Sequence, residues 1–213
     1  MLEGEAPDSF EDAVVGRDEL IHVLFTSGST GKPKGVMIPQ RAITNLYGGV
    51  SALFSGSPGP ILCTTQLIFD IFASESLIPL AMGKPIVLAD EQEMMLPWKM
   101  AELMERHGVK YMQFTASRLQ MCLGNEAFCR AAAGLELMIV GGEPVSAQLV
   151  ERFKAASPAH LINMYGPTED TVYATLTEVE PGRPVTIGHP MPNTRVYVCD
   201  EAGRPVLPTA RCV

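Results

Sequence analysis

The sequence predicts an α/β fold: a parallel sheet flanked by helices on both faces, with a partial β-rich piece toward the C-terminal end. Three observations predict it. Short apolar runs alternate with segments of helical apolar spacing from residue 20 to about residue 170. Glycines follow three of the predicted strands, as Gly28 and Gly31, Gly141 and Gly142, and Gly166. After Thr171 the texture changes to the runs TVYATLTEV and TRVYVCD, separated by Pro/Gly turns.

Each element follows from local composition. Residues 1–19 are polar and acidic and read as a leading segment or linker. LIHVLFT at 20–26 is an apolar strand that runs into SGSTGKPKG, a loop by its Gly, Ser and Pro content. Residues 39–54 carry Ala42, Ile43, Leu46, Val50 and Leu53 at helical spacing, with Pro39 suited to a first turn. ILCTT at 61–65 is a strand and 71–82 a helix; PIVLAD at 85–90 is a strand and Trp98 to Arg106 a helix. VKYMQF at 109–114 is a strand and 117–123 a helix. LELMIVGG at 135–142 is a strand, after which Ser146 caps a helix to about Ala156. HLINMYG at 160–166 is a strand. The predicted units are an α/β core over 20–174 and a β-rich subdomain beginning at 175 and cut short by residue 213. In doubly wound sheets ligands sit beyond the carboxyl ends of the strands, so the glycine-bearing loops mark one functional rim.

Composition narrows the function. A hydrophobic fraction of 46% with 19% charged residues is that of an ordered globular chain. The net charge of -8 argues against a broad nucleic-acid or anionic-membrane surface, although a local nest of backbone N–H groups can still hold an anionic nucleotide. Five cysteines at irregular spacing and four scattered histidines suggest neither a zinc site nor a disulfide framework. Reduced thiols and the absence of an apolar spanning run or signal segment lead us to expect a cytoplasmic protein without a membrane partner.

The strongest chemical signal is FTSGSTGKPKG at 25–35. Glycines let the backbone turn its N–H groups toward an anion, hydroxyls add donors, and lysine supplies charge. This is a phosphate loop but not a Walker A loop. Gly31-Lys32 is followed by Pro33 rather than Ser or Thr, and Thr26 occupies the first glycine position.

LIHVLFTSGSTGKPKGV resembles the phosphate-loop motif of the adenylate-forming superfamily, which holds acyl-CoA synthetases, luciferases and nonribosomal-peptide adenylation domains. NMYGPTED at 163–170 is similar to the NxYGPTE motif of the nonribosomal-peptide branch. The resemblance implies a flavodoxin-like subdomain that binds ATP and Mg2+. Thr26, Ser27, Gly28, Ser29, Thr30, Gly31 and Lys34 would cradle phosphates, with Lys32 a solvated neighbour. Asn163 would contact the adenine edge, and Tyr165 and Gly166 would border its face. Gly142 and Glu143, in the IVGGEPVS turn at 139–146, would line the same site. Thr168 would bond the α-phosphate and Glu169 would hold magnesium, for which a carboxylate is a suitable hard ligand. Lys34, Thr168 and Glu169 are the expected catalytic residues. IGHPMPNTRVYVCD at 187–200 resembles a further family stretch, in which we read His189 and Asn193 as structural.

FDIFASE at 69–75 resembles the segment in which amino-acid-activating members carry an aspartate for the substrate ammonium group. Asp70 matches it, with Phe72 standing where the pattern has serine; an N-cap role for Asp70 is the other reading. The resemblance implies a substrate pocket of Asp70, Ile71, Ser74, Ser117, Ile139, Gly141, Met164, Val172 and Tyr173. Its lack of charge beyond Asp70 suggests a medium or large, mostly apolar side chain, with Ser117 or Tyr173 able to meet a hydroxyl. The implied reaction is carboxylate attack on the α-phosphorus of ATP, giving aminoacyl-AMP and pyrophosphate. The implied partners are the condensation domain, the carrier protein with its phosphopantetheine, and the C-terminal adenylation subdomain, whose motifs this sequence lacks. We therefore expect a truncated core close to inactive alone. The alternatives are a non-catalytic nucleotide-binding or interaction module and an acyl-CoA or aryl-acid ligase. Lys34, Asp70 and Glu169 are expected to surround one reactive centre.

Overall fold

The computed structural model describes residues 14–27 and 31–206. Five parallel strands form the centre of a seven-stranded sheet: β3 (Ile61–Cys63), β4 (Ile86–Leu88), β5 (Tyr111–Phe114), β6 (Leu137–Gly141) and β7 (His160–Tyr165). The sheet order is β4-β3-β5-β6-β7-β8-β9. The parallel strands thus run 2-1-3-4-5 in chain order, the flavodoxin-like winding, whose switch point lies between β3 and β5. All residues of β5 and β6 are buried, as expected for parallel strands covered on both faces.

Two apolar layers enclose the sheet. One contains Met112, Phe114, Met138, Val140 and Leu161 and meets α5 (Pro97–His107), α6 (Ala116–Cys122), α7 (Glu126–Ala132) and α8 (Ala147–Ala156). The opposite layer contains Tyr111, Leu137, Ile139, Ile162 and Met164 and meets α1 (Gln40–Val50), Ala73 of α2 (Ile71–Glu75) and Tyr173. Strand alternation assigns these faces, since successive side chains point to opposite sides. Within each layer, burial of several Leu, Ile, Met and Phe side chains contributes roughly 1.5–3 kcal/mol apiece.

Four departures from the expected elements have physical causes. LIHVLFT does form β1 (Leu20–Thr26), but it joins no parallel sheet. It pairs antiparallel with β2 (Lys34–Pro39) in a separate hairpin, so the KPKG end of the loop is strand. The expected helix 71–82 is split into α2 and α3 (Leu77–Ala81). Pro79 has no N–H for the carbonyl of Glu75 and its ring crowds that group, and Ser76 leaves the helical region with φ -125°. The runs 91–95 and 126–132, not expected as helices, are α4 (Glu91–Met95) and α7. Finally, the change of texture near residue 175 marks a change of pairing within one sheet. β8 (Thr175–Glu178) runs antiparallel to β7, and β9 (His189–Pro190) antiparallel to β8. TRVYVCD contributes only the isolated bridge Cys199–Pro205. No described helix is long and apolar enough to cross a membrane.

Candidate active site

The β1–β2 pair carries the residues expected to hold phosphate. Thr26 pairs with Lys34 at its end. Gly31 has φ +79°, a left-handed conformation that glycine adopts without strain. Ser27, Lys32 and Lys34 are exposed. Gly28, Ser29 and Thr30 lie outside the described residues. β2 packs against the 3₁₀ turn Thr168–Asp170, so the strand bearing Lys34 and the turn bearing Thr168 and Glu169 are direct neighbours.

Beyond the ends of β6 and β7 lies a cavity of about 460 Å³. It is lined by Gly142, Glu143, Asn163, Tyr165 and Gly166, all five of the nucleotide candidates expected from those two strands, together with the 185–187 segment. Asn163 is buried, and its Nδ2 donates to the Thr186 carbonyl at 2.7 Å. Its Oδ1 remains as an acceptor, the complement of an exocyclic amino group. Tyr165 exposes half its surface, giving the cavity an aromatic wall. Gly166 permits a close backbone approach: a Cβ there would stand 2.6 Å from Tyr173 Cα and 2.7 Å from both Ala174 N and Val172 O. The loop between is strained, since Thr171 and the β-branched Val172 have φ of 58° and 72°.

A second cavity, of about 430 Å³, opens at the switch point between β3 and β5. Thr64, Thr65 and Gln66 form one wall and Gln113, Phe114 and Thr115 the other. Ile71 and Glu75 reach it from α2. Glu75 is almost wholly buried; its Oε2 accepts from the N–H groups of Thr64 and Thr65 at 2.8 and 2.9 Å, and its Oε1 from the Thr65 hydroxyl at 3.0 Å. Burial raises its pKa to about 7 against the pull of those donors. The Cys63 thiol beside it is pushed up to about 12, chiefly by burial and then by the Glu75 charge.

Asp70 and the pocket residues meet behind these cavities. The Asp70 carboxylate accepts from its neighbour Ile71 N–H at 2.8 Å, so it does serve the start of α2, with one oxygen left over. Its charge is felt by His22 on β1 and by Tyr173. Burial nevertheless holds the His22 pKa below the ordinary imidazole value, and its buried Nε2 has no partner among the described residues. Ser74, Ile139, Gly141, Met164, Val172 and Tyr173 are buried together on the α2 side of the sheet. Ile139 and Gly141 alternate on β6, and Gly141 registers with Met164 on β7. A Cβ on Gly141 would meet the Met164 carbonyl at 2.4 Å.

Ser117 is placed differently from the expectation. It is exposed on α6, where its N–H and hydroxyl donate to Glu143 at 2.8 and 2.9 Å. The β5 residue that faces the cluster is Gln113, in register with Ile139 and 3.3 Å from Ser74 Oγ. Period-two alternation along YMQF identifies it, since Tyr111 and Gln113 share the face of Ile139 while Met112 and Phe114 point away. Glu75 and His22 were likewise not singled out by motif, and a lone acid or imidazole in an apolar run was the only signal.

Among the described residues no group of three or more His, Cys, Asp or Glu could hold a metal ion. Glu169 and Asp170 are exposed acids at the loop, and an ion at Glu169 would complete its shell with phosphate and water oxygens, as magnesium commonly does.

The family model described as AMP-binding enzyme matches residues 2–211. The chain is 37% identical over 194 residues to the PKS-NRPS hybrid synthetase ATPKS of Aspergillus niger, covering 89% of this chain and 10% of that protein. It resembles PA1221, an NRPS protein containing adenylation and PCP domains, with a TM-score of 0.82 and 28% identity over 94% of this chain and 41% of that one. It also resembles the Klebsiella oxytoca NpsA N-terminal subdomain in complex with 3-hydroxyanthranilyl-AMSN, with a TM-score of 0.77 and 25% identity. That likeness covers 93% of this chain and 50% of the subdomain.

Proposed function

The chain belongs to the AMP-binding enzyme family, and from that premise we propose that its cradle binds ATP and an α-amino acid and joins them as aminoacyl-AMP within a nonribosomal peptide synthetase. The observation that carries this reading is β7. Asn163, Met164 and Tyr165 all border the nucleotide cavity, and Met164 also packs into the buried face that holds Ser74 and Tyr173. One strand thus sets the nucleotide site beside the acid site, and positioning of this kind supplies much of the barrier reduction in a two-substrate reaction.

In this reading the amino acid's ammonium group pairs with the Asp70 oxygen not used by Ile71. A carboxylate and an ammonium taken out of water together cost far less than either alone. Lys34 and the loop N–H groups bear the phosphate charge, and Thr168 donates to the α-phosphate. Magnesium at Glu169 neutralises phosphate charge. The acceptor of the activated acid is the phosphopantetheine thiol of a carrier protein, with a condensation domain as a further partner, in the cytoplasm.

The experiment is a comparison of two sulfamoyl-adenosine analogues, one aminoacyl and one lacking the amino group, titrated calorimetrically into the chain. The aminoacyl analogue is expected to bind about tenfold more tightly, equivalent to about 1.4 kcal/mol. Asp70→Asn is expected to erase the difference. Equal affinities in the unmodified protein would instead favour an acyl-CoA or aryl-acid ligase.

A further inference from the structure

The buried face around Ser74 contains polar groups that the described residues leave incompletely satisfied. Ser74 has one hydroxyl proton, and its contact with the Ile71 carbonyl at 2.8 Å is the shorter of two. The second, to Gln113 Oε1, is 3.3 Å. With its proton on the Ile71 carbonyl, Ser74 offers Gln113 only its oxygen, so whichever way the Gln113 amide is turned at least one of its polar atoms is left without Ser74. The Ser74 contact is that carboxamide's one hydrogen bond among the described residues. The Tyr173 hydroxyl lies close enough to Ser74 and Gln113 for both to act on it, yet at ordinary hydrogen-bond geometry it has no partner among the described residues. Both side chains are more than nine-tenths buried, Gln113 at 6% and Tyr173 at 5% exposure. A buried polar group left without a partner is costly, so one retained in a native fold calls for a reason, and a bound guest that completes its hydrogen bonds is one.

The surroundings define what fits. Ile71, Ile139, Met164 and Val172 make the walls apolar, and Gln113 and Ile71 also line the switch-point cavity of about 430 Å³. Asp70 places negative charge near Tyr173, and Glu75 adds to it as it loses its proton near pH 7, which disfavours an anionic guest. A cationic side chain would need a carboxylate of its own. Glu75 already accepts two N–H groups and a hydroxyl, and Asp70 is assigned to the ammonium group. An aliphatic guest would seal Gln113 and Tyr173 away from water with nothing to bond.

We propose that the acid activated here carries an uncharged hydrogen-bonding side chain, a carboxamide or a hydroxyl, received by Gln113 and Tyr173. This rests on the adenylation reading and narrows the mostly apolar side chain expected from the sequence. A site that bonds a polar side chain rejects the analogue lacking it more strongly than an apolar pocket rejects an added hydroxyl.

The test is a panel of aminoacyl-sulfamoyl-adenosines titrated into the chain, carrying the side chains of Gln, Asn, Thr, Tyr, Leu, Phe, Lys and Glu. At least one carboxamide or hydroxyl analogue is expected to bind tenfold or more tightly than its apolar counterpart of similar size. Tyr173→Phe and Gln113→Leu are expected to lower affinity for that analogue about tenfold while changing the affinity of the apolar one less than twofold. A purely structural role for Tyr173 would shift every analogue alike and overturn the proposal. Tightest binding of an apolar or charged analogue would overturn it while leaving amino-acid adenylation standing. Binding of none of the panel would overturn both. Circular dichroism of the variants separates misfolding from lost recognition, and a second uncharged variant, Gln113→Met, which keeps the length of the side chain and removes its hydrogen-bonding groups, is expected to show the same selectivity loss.

Discussion

Glu75 holds Thr65 by two points at once, accepting its backbone N–H on Oε2 at 2.9 Å and its hydroxyl on Oε1 at 3.0 Å. This clamp ties α2, which carries Ser74, to the end of β3. Because Glu75 titrates near 7 rather than near its ordinary value of 4.5, the folded protein binds a proton more tightly than the unfolded chain. The contribution to stability is therefore complete below about pH 4.5 and is lost as pH rises toward about 7. The full shift corresponds to roughly 3 kcal/mol. Urea denaturation at about pH 5, 6 and 7 is expected to show falling stability in the unmodified protein and a flatter profile in Glu75→Gln. Parallel profiles for the two would show that another group controls the slope.

Gly166→Ala is expected to destabilise the chain by about 1–3 kcal/mol, the usual cost of overpacking. The atoms a Cβ would strike, Tyr173 Cα, Ala174 N and Val172 O, are all backbone and cannot swing aside as a side-chain end can. The same shift moves Tyr165 and Tyr173, so nucleotide and acid affinities should fall together. Thermal melting and ATP titration check the two effects, and an unchanged melting temperature would contradict the close approach.

Most of the parallel core was legible in the sequence because its strands are short apolar runs with glycine at their ends. Ser146 also capped α8 as expected, accepting from Leu149 N–H at 3.2 Å. α4 was legible but unread: Asp90 and Glu93 form a reciprocal capping box, the Asp-x-x-Glu spacing that marks a helix start. α7 was similarly announced by Asn125, which accepts from Phe128 N–H at 3.1 Å. The β1–β2 hairpin was harder, because a strand's sequence does not say which sheet it joins, and KPKG carries loop composition although Lys34 is paired. In the site, motif residues around Asn163 came together as a group, whereas Ser117 is exposed beside Glu143 and Gln113, not singled out by motif, faces the buried cluster. Motif spacing counts residues along the chain, but which of them faces a pocket is decided by strand register, which only pairing with β6 reveals.

Thiol reactivity offers a check on the buried layers. Burial raises Cys63 to about 12 and Cys122 to about 11, leaving on the order of one thiolate in a thousand or fewer near pH 8. Cys199 is exposed on the C-terminal segment. Iodoacetamide at about pH 8, followed by peptide mass spectrometry, is expected to modify Cys199 before Cys63 and Cys122, which are spared until the protein is unfolded in urea. Early labelling of Cys63 would mean that the β3 end and its Glu75 clamp open readily.

The two loop lysines should differ in their effect on nucleotide binding. Lys32 lies in the turn, whereas Lys34 is fixed by its pairing with Thr26, and β2 as a whole rests on the turn that carries Thr168 and Glu169. A cation held by strand pairing loses less freedom when it meets a phosphate than one on a loop, so its attraction is expressed more fully in affinity. Lys34→Ala is expected to weaken ATP binding about tenfold, or about 1.4 kcal/mol, and Lys32→Ala less than twofold. Since phosphate attraction is screened by salt, the difference should narrow as ionic strength rises. Calorimetric titration of both variants at low and high salt checks this, and equal losses would place the phosphates nearer the turn than the strand.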